Sequence, residues 1–208
     1  MIFIVDYGMG NLRSVQKGLE SVGFAASITS RPEDIEGAAG VVLPGVGAFG
    51  DAMNNLRSNG MDQAIRDYVR SGRPFLGICL GQHLIFDGSE EFGWNEGLGL
   101  LPGRVIRLPA GVKVPHIGWN QLRRVREEKI LNGIPDDSYF YFNHSFYLQL
   151  ADSHITGAVT EYGSTIPAVV SRGNIYGIQF HPEKSSTLGL KILQNFGELV
   201  RDADHTRD

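Results

Sequence analysis

Short apolar runs alternate with segments of helical period in the first half of the chain, and this alternation restricts the possible folds. The run Ile2–Val5 is followed by apolar residues spaced three or four apart, which is one face of a helix: Leu12, Val15, Leu19 and Val22. Asn11 is a suitable N-cap for that helix and Gly23 a suitable residue just past its end. Further strands and helices are predicted at Phe24–Thr29, Val41–Leu43 (halted by Pro44 and Gly45), Met61–Val69, Pro74–Ile78 and Leu80–Phe86. Continuous apolar strands that alternate with helices predict a mostly parallel sheet covered on both faces.

The second half follows a different pattern, with strand-like segments that succeed one another closely. These segments are Val105–Leu108, Gly118–Val125, Tyr139–Leu150, Ile155–Glu161, Ala168–Ser171 and Ile175–Phe180. Such spacing indicates hairpins, so the sheet is expected to be mixed, and Leu188–Val200 closes the chain as a helix. A length of 208 residues with no linker longer than a loop predicts one domain over residues 1–208.

The charge balance and the cysteine count exclude several classes of protein. The formal net charge of −4 gives no electrostatic case for binding nucleic acid or an anionic membrane. One cysteine, Cys79, excludes an intrachain disulfide and a Cys-x-x-Cys redox or zinc motif. No metal-ligand spacing surrounds His116, His144 or His205, so we expect no metal and no organic cofactor. Neither a signal-peptide pattern nor an apolar run of membrane-spanning length is present, so we expect a cytoplasmic location.

The single cysteine stands between a predicted strand and a predicted helix, in Gly77-Ile78-Cys79-Leu80-Gly81. Gly-x-Cys-x-Gly is the thiol counterpart of the Gly-x-Ser-x-Gly nucleophile elbow, a sharp turn that exposes its central side chain. The start of the following helix favours a thiolate, and the backbone N–H of Leu80 can donate to an oxyanion. The alternative is a buried structural cysteine, which is the commoner fate of a lone cysteine. The turn context favours the nucleophile.

A second polar segment, Gln179–Ser185, follows the last predicted strand. Pro182 keeps His181 extended, and residues two apart in an extended segment point to the same side, so His181 and Glu183 can reach one place. A thiol, an imidazole and a carboxylate can act as nucleophile, base and orienting group. A His-x-Glu pair alone is more often a surface loop, but the elbow upstream favours the catalytic interpretation.

Two glycine loops follow predicted strands. Pro44-Gly45-Val46-Gly47 can present backbone N–H groups to a phosphate or an oxyanion, although an ordinary strand-ending turn is the alternative. Gly8-Met9-Gly10 is similar to a dinucleotide-binding loop, but Arg13 stands where its third glycine is required. Nucleotide binding is therefore disfavoured.

Taken together, these segments resemble the class I (triad) glutamine amidotransferases. More narrowly, the chain resembles the HisH family, the glutaminase subunits of imidazole glycerol phosphate synthase, over about residues 2 to 200. The segments that carry this resemblance are Asp6–Leu12, Pro44–Phe49, Pro115–Asn120, Tyr141–Ser145 and Gln179–Ser185. It implies a flavodoxin-like fold, a twisted and mostly parallel sheet flanked by helices, with antiparallel extensions.

The resemblance also implies roles for individual residues. Cys79 would attack the side-chain amide carbon of glutamine, His181 would protonate the departing ammonia and then activate water, and Glu183 would hold the imidazole. Backbone N–H groups of Val46 or Gly47, with that of Leu80, would stabilise the oxyanion. Substrate contacts are implied at Gly45, Gln82, His83, Glu91 and Ser145, with Glu91 on the amino group and Ser145 on the backbone of glutamine.

The partner implied by the resemblance is a HisF-type (βα)8 cyclase, bound as a heterodimer. Its interface would involve Trp119, Asn120, Tyr141 and Lys184. Ammonia would pass through that barrel to a second active site, which makes imidazole glycerol phosphate and an aminoimidazole carboxamide ribotide on the way to histidine and purines.

Two positions depart from the family pattern. The family usually has glutamine four residues after the nucleophile, but here Gln82 is third and His83 fourth. His83 could donate a hydrogen bond to the substrate, Gln82 could reach round, or His83 could only fill space. Phe146 stands where the family usually has tyrosine. Such departures leave open a paralogous glutaminase that feeds a different synthase, such as a sugar-amidating enzyme. A free-standing cysteine hydrolase and a non-catalytic binding protein are the remaining alternatives.

Overall fold

The centre of the molecule is a nine-stranded mixed sheet, in a computed structural model that describes residues 1–205. Its strand order is β2-β1-β3-β4-β13-β12-β11-β8-β9, and a four-stranded sheet of order β10-β7-β5-β6 accompanies it. The strands are β1 (Ile2–Val5), β2 (Ala26–Thr29), β3 (Gly40–Gly45), β4 (Phe75–Cys79), β5 (Gly88–Ser89), β6 (Asn95–Glu96), β7 (Gly103–Arg107), β8 (His116–Arg124), β9 (Ser138–His144), β10 (Phe146–Leu150), β11 (Thr156–Glu161), β12 (Thr165–Arg172) and β13 (Ile175–Ile178). The helices are α1 (Leu12–Ser21), α2 (Pro32–Glu36), α3 (Phe49–Ser58), α4 (Met61–Arg70), α5 (Leu80–Leu84) and α6 (Ser186–His205).

The direction of the strands changes across the large sheet. The pairs from β2 to β13 are parallel, whereas β12, β11, β8 and β9 pair antiparallel. Because β3, β4 and β13 are parallel neighbours, their carboxyl ends meet at one edge. Gly45 ends β3, Cys79 ends β4, and His181 follows β13 by three residues. This topology brings together segments that lie far apart in the sequence.

Helices cover both faces of the large sheet, so a buried core lies on each side. On one face α1 and α6 contribute Leu19 and Phe196, and on the other α3 and α4 contribute Phe49 and Ile65. All four side chains are at most 1% exposed. Burying a side chain of this size stabilises the fold by about 1.5–3 kcal/mol. The predicted fold class, a mostly parallel sheet flanked by helices with antiparallel extensions, is confirmed.

The structure corrects several predicted boundaries. The third strand is not halted at Pro44 but continues to Gly45, because β3 pairs with β1 only as far as Val42 and the missing N–H of Pro44 removes no bond on that side. The segment Tyr139–Leu150 is not one strand. It divides at Ser145 into β9 in the large sheet and β10 in the small one.

Helices α2 and α3 were not predicted. The signal for α3 was present, since Phe49, Ala52, Met53 and Leu56 have helical spacing and are all buried. Strands β5 and β6, of two residues each, carry no comparable pattern.

Candidate active site

Cys79 occupies a strained turn between β4 and α5. Its φ of +54° and ψ of −110° are unusual for a residue with a side chain, and such strain concentrates at functional sites. A Cβ atom on Gly81 would lie 1.7 Å from the carbonyl oxygen of Leu43, and one on Gly77 would lie 2.5 Å from the carbonyl oxygen of Gly81. Neither glycine can therefore carry a side chain without moving the backbone. The turn has the geometry of the nucleophile elbow that the sequence predicts.

His181 and Glu183 are joined by a hydrogen bond of 2.9 Å between Nδ1 and Oε1, and both side chains are buried. The backbone at His181 is extended, as Pro182 predicts. Asn11 Nδ2 donates a further bond of 3.3 Å to the same carboxylate oxygen. Burial disfavours the imidazolium, but the neighbouring Cys79 and Glu183 outweigh it and raise the pKa of His181 to about 10. Since Nδ1 is engaged with Glu183, the other ring nitrogen is left to exchange a proton with the thiol.

The loop that follows β3 is held in place by Tyr7. The Tyr7 hydroxyl donates to the carbonyl oxygen of Pro44 at 2.9 Å, and a Cβ atom on Gly45 would come within 2.3 Å of that hydroxyl. Burial, with a smaller effect of Cys79, raises the pKa of Tyr7, so its hydroxyl remains a donor. Val46 and Gly47 follow this fixed point and line the cavity at Cys79.

The cavity at Cys79 has a volume of about 230 Å³ and collects most of the predicted site residues. Those that line it are Val46, Gly47, Cys79, Leu80, His83, Glu91, Ser145 and His181. One wall is the continuous segment 143–146, in which the carbonyl oxygen of Asn143 lies 3.7 Å from Cys79 Sγ. Glu91 Oε2, also at the cavity, accepts a 2.7 Å hydrogen bond from the backbone N–H of Phe49 at the start of α3. The Cys79 thiol, the His181 imidazole and the Glu91 carboxylate therefore share one small cavity, whereas Glu183 lies outside its lining, bonded to His181.

His83 lines the cavity and Gln82 does not. His83 Nε2 lies 2.7 Å from Gln179 Oε1, and burial, opposed in part by this bond, lowers the pKa of His83 to about 4. The neutral ring therefore donates to Gln179. Gln82 is fully buried against Gly177, and its amide finds no hydrogen-bond partner among residues 1–205. Of the predicted substrate residues, Gly45 also lies outside the cavity lining, packed against Leu80.

The outer face of β8–β9 exposes a group of large side chains at the edge of the sheet. Its members are Ile117, Trp119, Tyr139 and Tyr141, of which the first three are more than half exposed. Trp119 meets Tyr141 edge to face with ring centres 6.2 Å apart, and Lys184 Nζ lies 5.7 Å from the Tyr141 ring centre. Asn120 belongs to the inner side of β8, because its amide donates to His116 and to the carbonyl oxygen of Glu161. Ile117 and Tyr139 had no predicted role.

Backbone hydrogen bonds join this outer face to the triad loop. The His181 N–H donates to the carbonyl oxygen of Tyr141 at 2.9 Å, and the Tyr141 N–H donates to Ser185 Oγ at 3.0 Å. Ser185 Oγ in turn donates to the carbonyl oxygen of His181 at 2.6 Å. The His181 loop is therefore connected to β9 through the backbone of Tyr141. The sequence indicated no role at the site for Ser185, Asn11 or Tyr7, although all three lie in the segments that carry the family resemblance; Asn11 was predicted only as the N-cap of α1, where its side chain makes no capping hydrogen bond.

Residues 1–205 lack two further kinds of feature. No group of three or more His, Cys, Asp or Glu side chains there could hold a metal ion. None of the helices in that range is long and apolar enough to cross a membrane.

Comparison with known proteins identifies relatives over almost the whole chain. The family model for glutamine amidotransferase class-I matches residues 3–199. The imidazole glycerol phosphate synthase subunit HisH of Moorella thermoacetica is 54% identical over 202 residues, which are 97% of this chain and 96% of the relative. The HisH subunit of Desulfitobacterium hafniense (strain DSM 10664 / DCB-2) is 51% identical, with the same coverage.

Solved structures with the same fold are more distant in sequence. A crystal structure described as a glutamine amidotransferase has a TM-score of 0.77 at 21% identity, covering 97% of this chain and 100% of its own. The structure of PurLQS from Thermotoga maritima has a TM-score of 0.76 at 19% identity, covering 97% of each chain. These two structures support the fold alone.

Proposed function

The chain belongs to the class I glutamine amidotransferase family, and we propose that Cys79, His181 and Glu183 carry out its glutaminase reaction. It is a glutamine amidotransferase subunit of imidazole glycerol phosphate synthase, of the HisH type, in histidine biosynthesis. The observation that carries the assignment of residues is that the strained Cys79 turn and His181 line one cavity, with Glu183 hydrogen-bonded to the His181 ring. We extend the proposal to residues 1–208 as one glutamine amidotransferase domain.

The first half of the reaction forms a thioester. The proton of the Cys79 thiol first passes to His181, as the raised pKa of that imidazole favours, and the Sγ thiolate then bonds to the side-chain amide carbon of glutamine. Backbone N–H groups of Leu80 and of Val46 or Gly47 stabilise the oxyanion that develops. When this intermediate collapses, the carbon–nitrogen bond breaks and His181 returns the proton to the leaving nitrogen, which departs as ammonia.

The second half hydrolyses the thioester. His181 takes a proton from water, and the hydroxide bonds to the thioester carbon. Collapse of this second intermediate breaks the carbon–sulfur bond, and the proton on His181 returns to the Cys79 sulfur. The sum is glutamine and water to glutamate and ammonia. Glu183 keeps one imidazole tautomer and stabilises the imidazolium of each step.

Glutamine is held by the groups that line the cavity around Cys79. The Glu91 carboxylate suits the α-ammonium of glutamine, and it is already oriented by the N–H of Phe49. Ser145, in the wall 143–146, contacts the backbone of glutamine. His83 takes the place at the cavity where the family usually has glutamine, and its neutral ring supplies a weak acceptor there.

The partner is a HisF-type (βα)8 cyclase that forms a heterodimer with this chain and receives its ammonia. Its docking surface includes the outer face of β8–β9 and Lys184. Exposed aromatic side chains next to a cation are typical of interface hot spots. The bonds from Tyr141 to the His181 loop supply a route by which docking can adjust the triad. A net charge of −4 and a lone thiol favour a cytoplasmic protein without nucleic-acid or membrane partners.

The alternatives have weaker support. A paralogue that serves a different synthase rests on His83 and Phe146, whereas identity above 50% to HisH subunits extends over 97% of the chain. A free-standing cysteine hydrolase has no need for the exposed aromatic group on β8–β9.

The deciding experiment measures glutamate release from glutamine by the purified chain, with and without a HisF-type cyclase. We expect hydrolysis that rises with cyclase concentration and saturates. Absence of stimulation at any cyclase concentration would contradict the partner. If a glutamine-analogue electrophile fails to label Cys79 in the presence of cyclase, the catalytic assignment itself is wrong.

A further inference from the structure

A series of three hydrogen-bonded polar side chains begins in the cavity wall 143–146 and runs from β9 to β8. It consists of His144, His116 and Asn120, from the paired strands β9 and β8. The two histidines are 5% and 3% exposed. His116 is stacked between Tyr162 and Phe142, with ring centres 3.9 Å and 5.0 Å away. The mechanism above uses neither histidine.

The hydrogen bonds of this series can run in one direction only. His144 Nδ1 lies 2.8 Å from the carbonyl oxygen of Phe146, which accepts and cannot donate, so this nitrogen carries a proton. Burial, with smaller effects of the neighbouring groups, lowers the pKa of His144 to about 3, so the ring is neutral and its Nε2 is an acceptor. His116 Nδ1, 2.9 Å from that Nε2, must therefore donate.

The second ring is constrained in the same way. Burial lowers the pKa of His116 to about 4, so its Nε2 is also an acceptor, and Asn120 Nδ2 donates to it at 3.3 Å. The Asn120 amide has a defined orientation, because its Oδ1 accepts the N–H of Gln121 at 2.8 Å. Both histidines are thus held as Nδ1–H tautomers. The series of hydrogen bonds ends on the carbonyl oxygen of Phe146, which cannot pass a proton onward. A proton relay along these side chains is therefore excluded.

At one end of this hydrogen-bonded series, His144 fixes the conformation of the cavity wall. The bond from His144 to the Phe146 carbonyl spans Ser145, the residue at which β9 ends and the chain turns into β10. On its other side, His144 is preceded by Asn143, whose carbonyl oxygen faces Cys79 Sγ. The other end of the series is Asn120, the neighbour of Trp119 on β8. A fully satisfied buried polar network of this kind specifies one local conformation.

We propose that His144 and His116 are positioning residues for the glutamine site, which shape the wall 143–146 and tie it to the strand that carries the docking face. The proposal rests on the proposed function for the identity of the substrate. It requires both rings to remain neutral, which also keeps a positive charge away from the imidazolium of His181. The proposal does not require the imidazole of His116 or His144 to contact glutamine or to change its protonation state.

The first test reads the tautomers without reference to activity. ¹⁵N NMR spectra of the full chain labelled with ¹⁵N-histidine, with the cyclase bound, should show His116 and His144 as neutral Nδ1–H tautomers at pH 7.5. Free neutral histidine favours Nε2–H, so the expected signals are distinctive. Each ¹⁵N signal is assigned by its absence from the spectrum of the His116→Asn or the His144→Asn variant. An Nε2–H or charged ring at either position would overturn the proposal.

The second test compares His116→Phe with His116→Asn, as complexes with the cyclase. Phe keeps a ring between Tyr162 and Phe142 but leaves His144 Nε2 unpaired. We expect about ten-fold lower kcat/KM for glutamine, mainly through a higher KM. Asn loses the ring but keeps a donor at the place of Nδ1, so it should recover most of that loss. Exposed His154→Phe is the matched control and should match the wild type.

Equal kcat/KM for His116→Phe and the wild type would overturn the proposal, and so would equal loss in the Phe and Asn variants. If His116→Phe does not fold, the tautomers measured in the wild type decide whether the proposal stands. Failure of the proposed function has a separate signature, since the wild-type complex would then not hydrolyse glutamine although the tautomers are as expected.

Discussion

The parallel strands β3, β4 and β13 and the antiparallel edge β8–β9 contribute to one site in different ways. At the parallel ends, backbones approach so closely that glycine is required, as at Gly81 against the Leu43 carbonyl. Cys79, the loop with Val46 and Gly47, and the His181 loop all leave this edge of the sheet. At β8–β9 the inner face is buried, but the outer face leaves Trp119 and Tyr139 more than half exposed.

The two regions therefore differ in their proposed roles: the parallel ends hold the catalytic residues, and the antiparallel edge binds the partner. Contacts within the chain alone hold Cys79, His181 and Glu183, the proposed triad, together. The antiparallel edge has apolar surface still to bury and is bonded to the His181 loop through Tyr141. Changes at the parallel ends should therefore act on catalysis or folding, and changes at the edge should act on docking.

The largest expected effect is on catalysis, from Cys79→Ala and Cys79→Ser. Both remove the nucleophile, so kcat for glutamate release should fall by at least about 10⁴-fold, which is the scale of losing a triad member. Affinity for the cyclase, measured by calorimetry, should stay within about two-fold, because Cys79 is 6% exposed and away from the outer face. Equal loss of docking would show that the two regions are not separable.

The next effect is on folding, from Gly81→Ala. The added Cβ would lie 1.7 Å from the Leu43 carbonyl oxygen, which is backbone and cannot give way. The free energy of unfolding should fall by about 3 kcal/mol in urea titrations. Gly37→Ala is the matched control, because Gly37 has open space around its Cβ direction and an ordinary φ of −92°. A neutral Gly81→Ala would remove the close approach as the reason for this glycine.

The same two regions differ in how far the sequence predicts them. At the parallel ends the signals are local, because apolar strands, glycine turns and Pro182 each act on their own neighbours. The strands, the elbow and the extended His181 were therefore predictable. Sequence also placed the His181–Glu183 pair, since a two-residue spacing in an extended segment fixes the side.

At the antiparallel edge the deciding contacts are non-local. Nothing in Tyr139–Leu150 marks the break at Ser145, which depends on β10 pairing with β7. The inward amide of Asn120 and the burial of Gln82 depend on the faces that tertiary packing selects. Sequence could name these residues as part of the site, but it could not distinguish which face each one occupies.

The third prediction tests docking with the two tryptophans, which are similarly exposed. Trp119 on β8 is 53% exposed and Trp94 in the loop after β5 is 57% exposed. Trp119→Ala should weaken binding of the cyclase by about 2 kcal/mol, roughly 30-fold in Kd, as expected of an interface hot spot. Trp94→Ala should leave Kd within about two-fold. Equal effects of the two variants would mean that the outer face of β8–β9 is not the principal docking surface.

The last prediction concerns the dependence of stability on pH, to which both regions contribute on the acid side and only the parallel ends contribute on the alkaline side. The pKa of His83, beside the elbow, is lowered to about 4, and the pKa values of His116 and His144 behind the edge are lowered to about 4 and about 3. The unfolded chain binds these protons first. Their contribution to the free energy of unfolding is therefore complete above about pH 6.5 and is lost as the pH falls toward 4. Each group adds a slope of up to about 1.4 kcal/mol per pH unit. Urea titrations between pH 7 and 5 should show a shallower slope for His83→Gln, and an unchanged slope for exposed His154→Gln.

The pKa of His181 shifts the opposite way, to about 10, so its contribution is present below about pH 6.5 and is lost as the pH rises through 10. The alkaline limb should therefore respond to Glu183→Gln, at the parallel ends, and not to His116→Asn, at the edge. An alkaline limb that changes in both variants would show that the edge helps to hold the charged His181 in place.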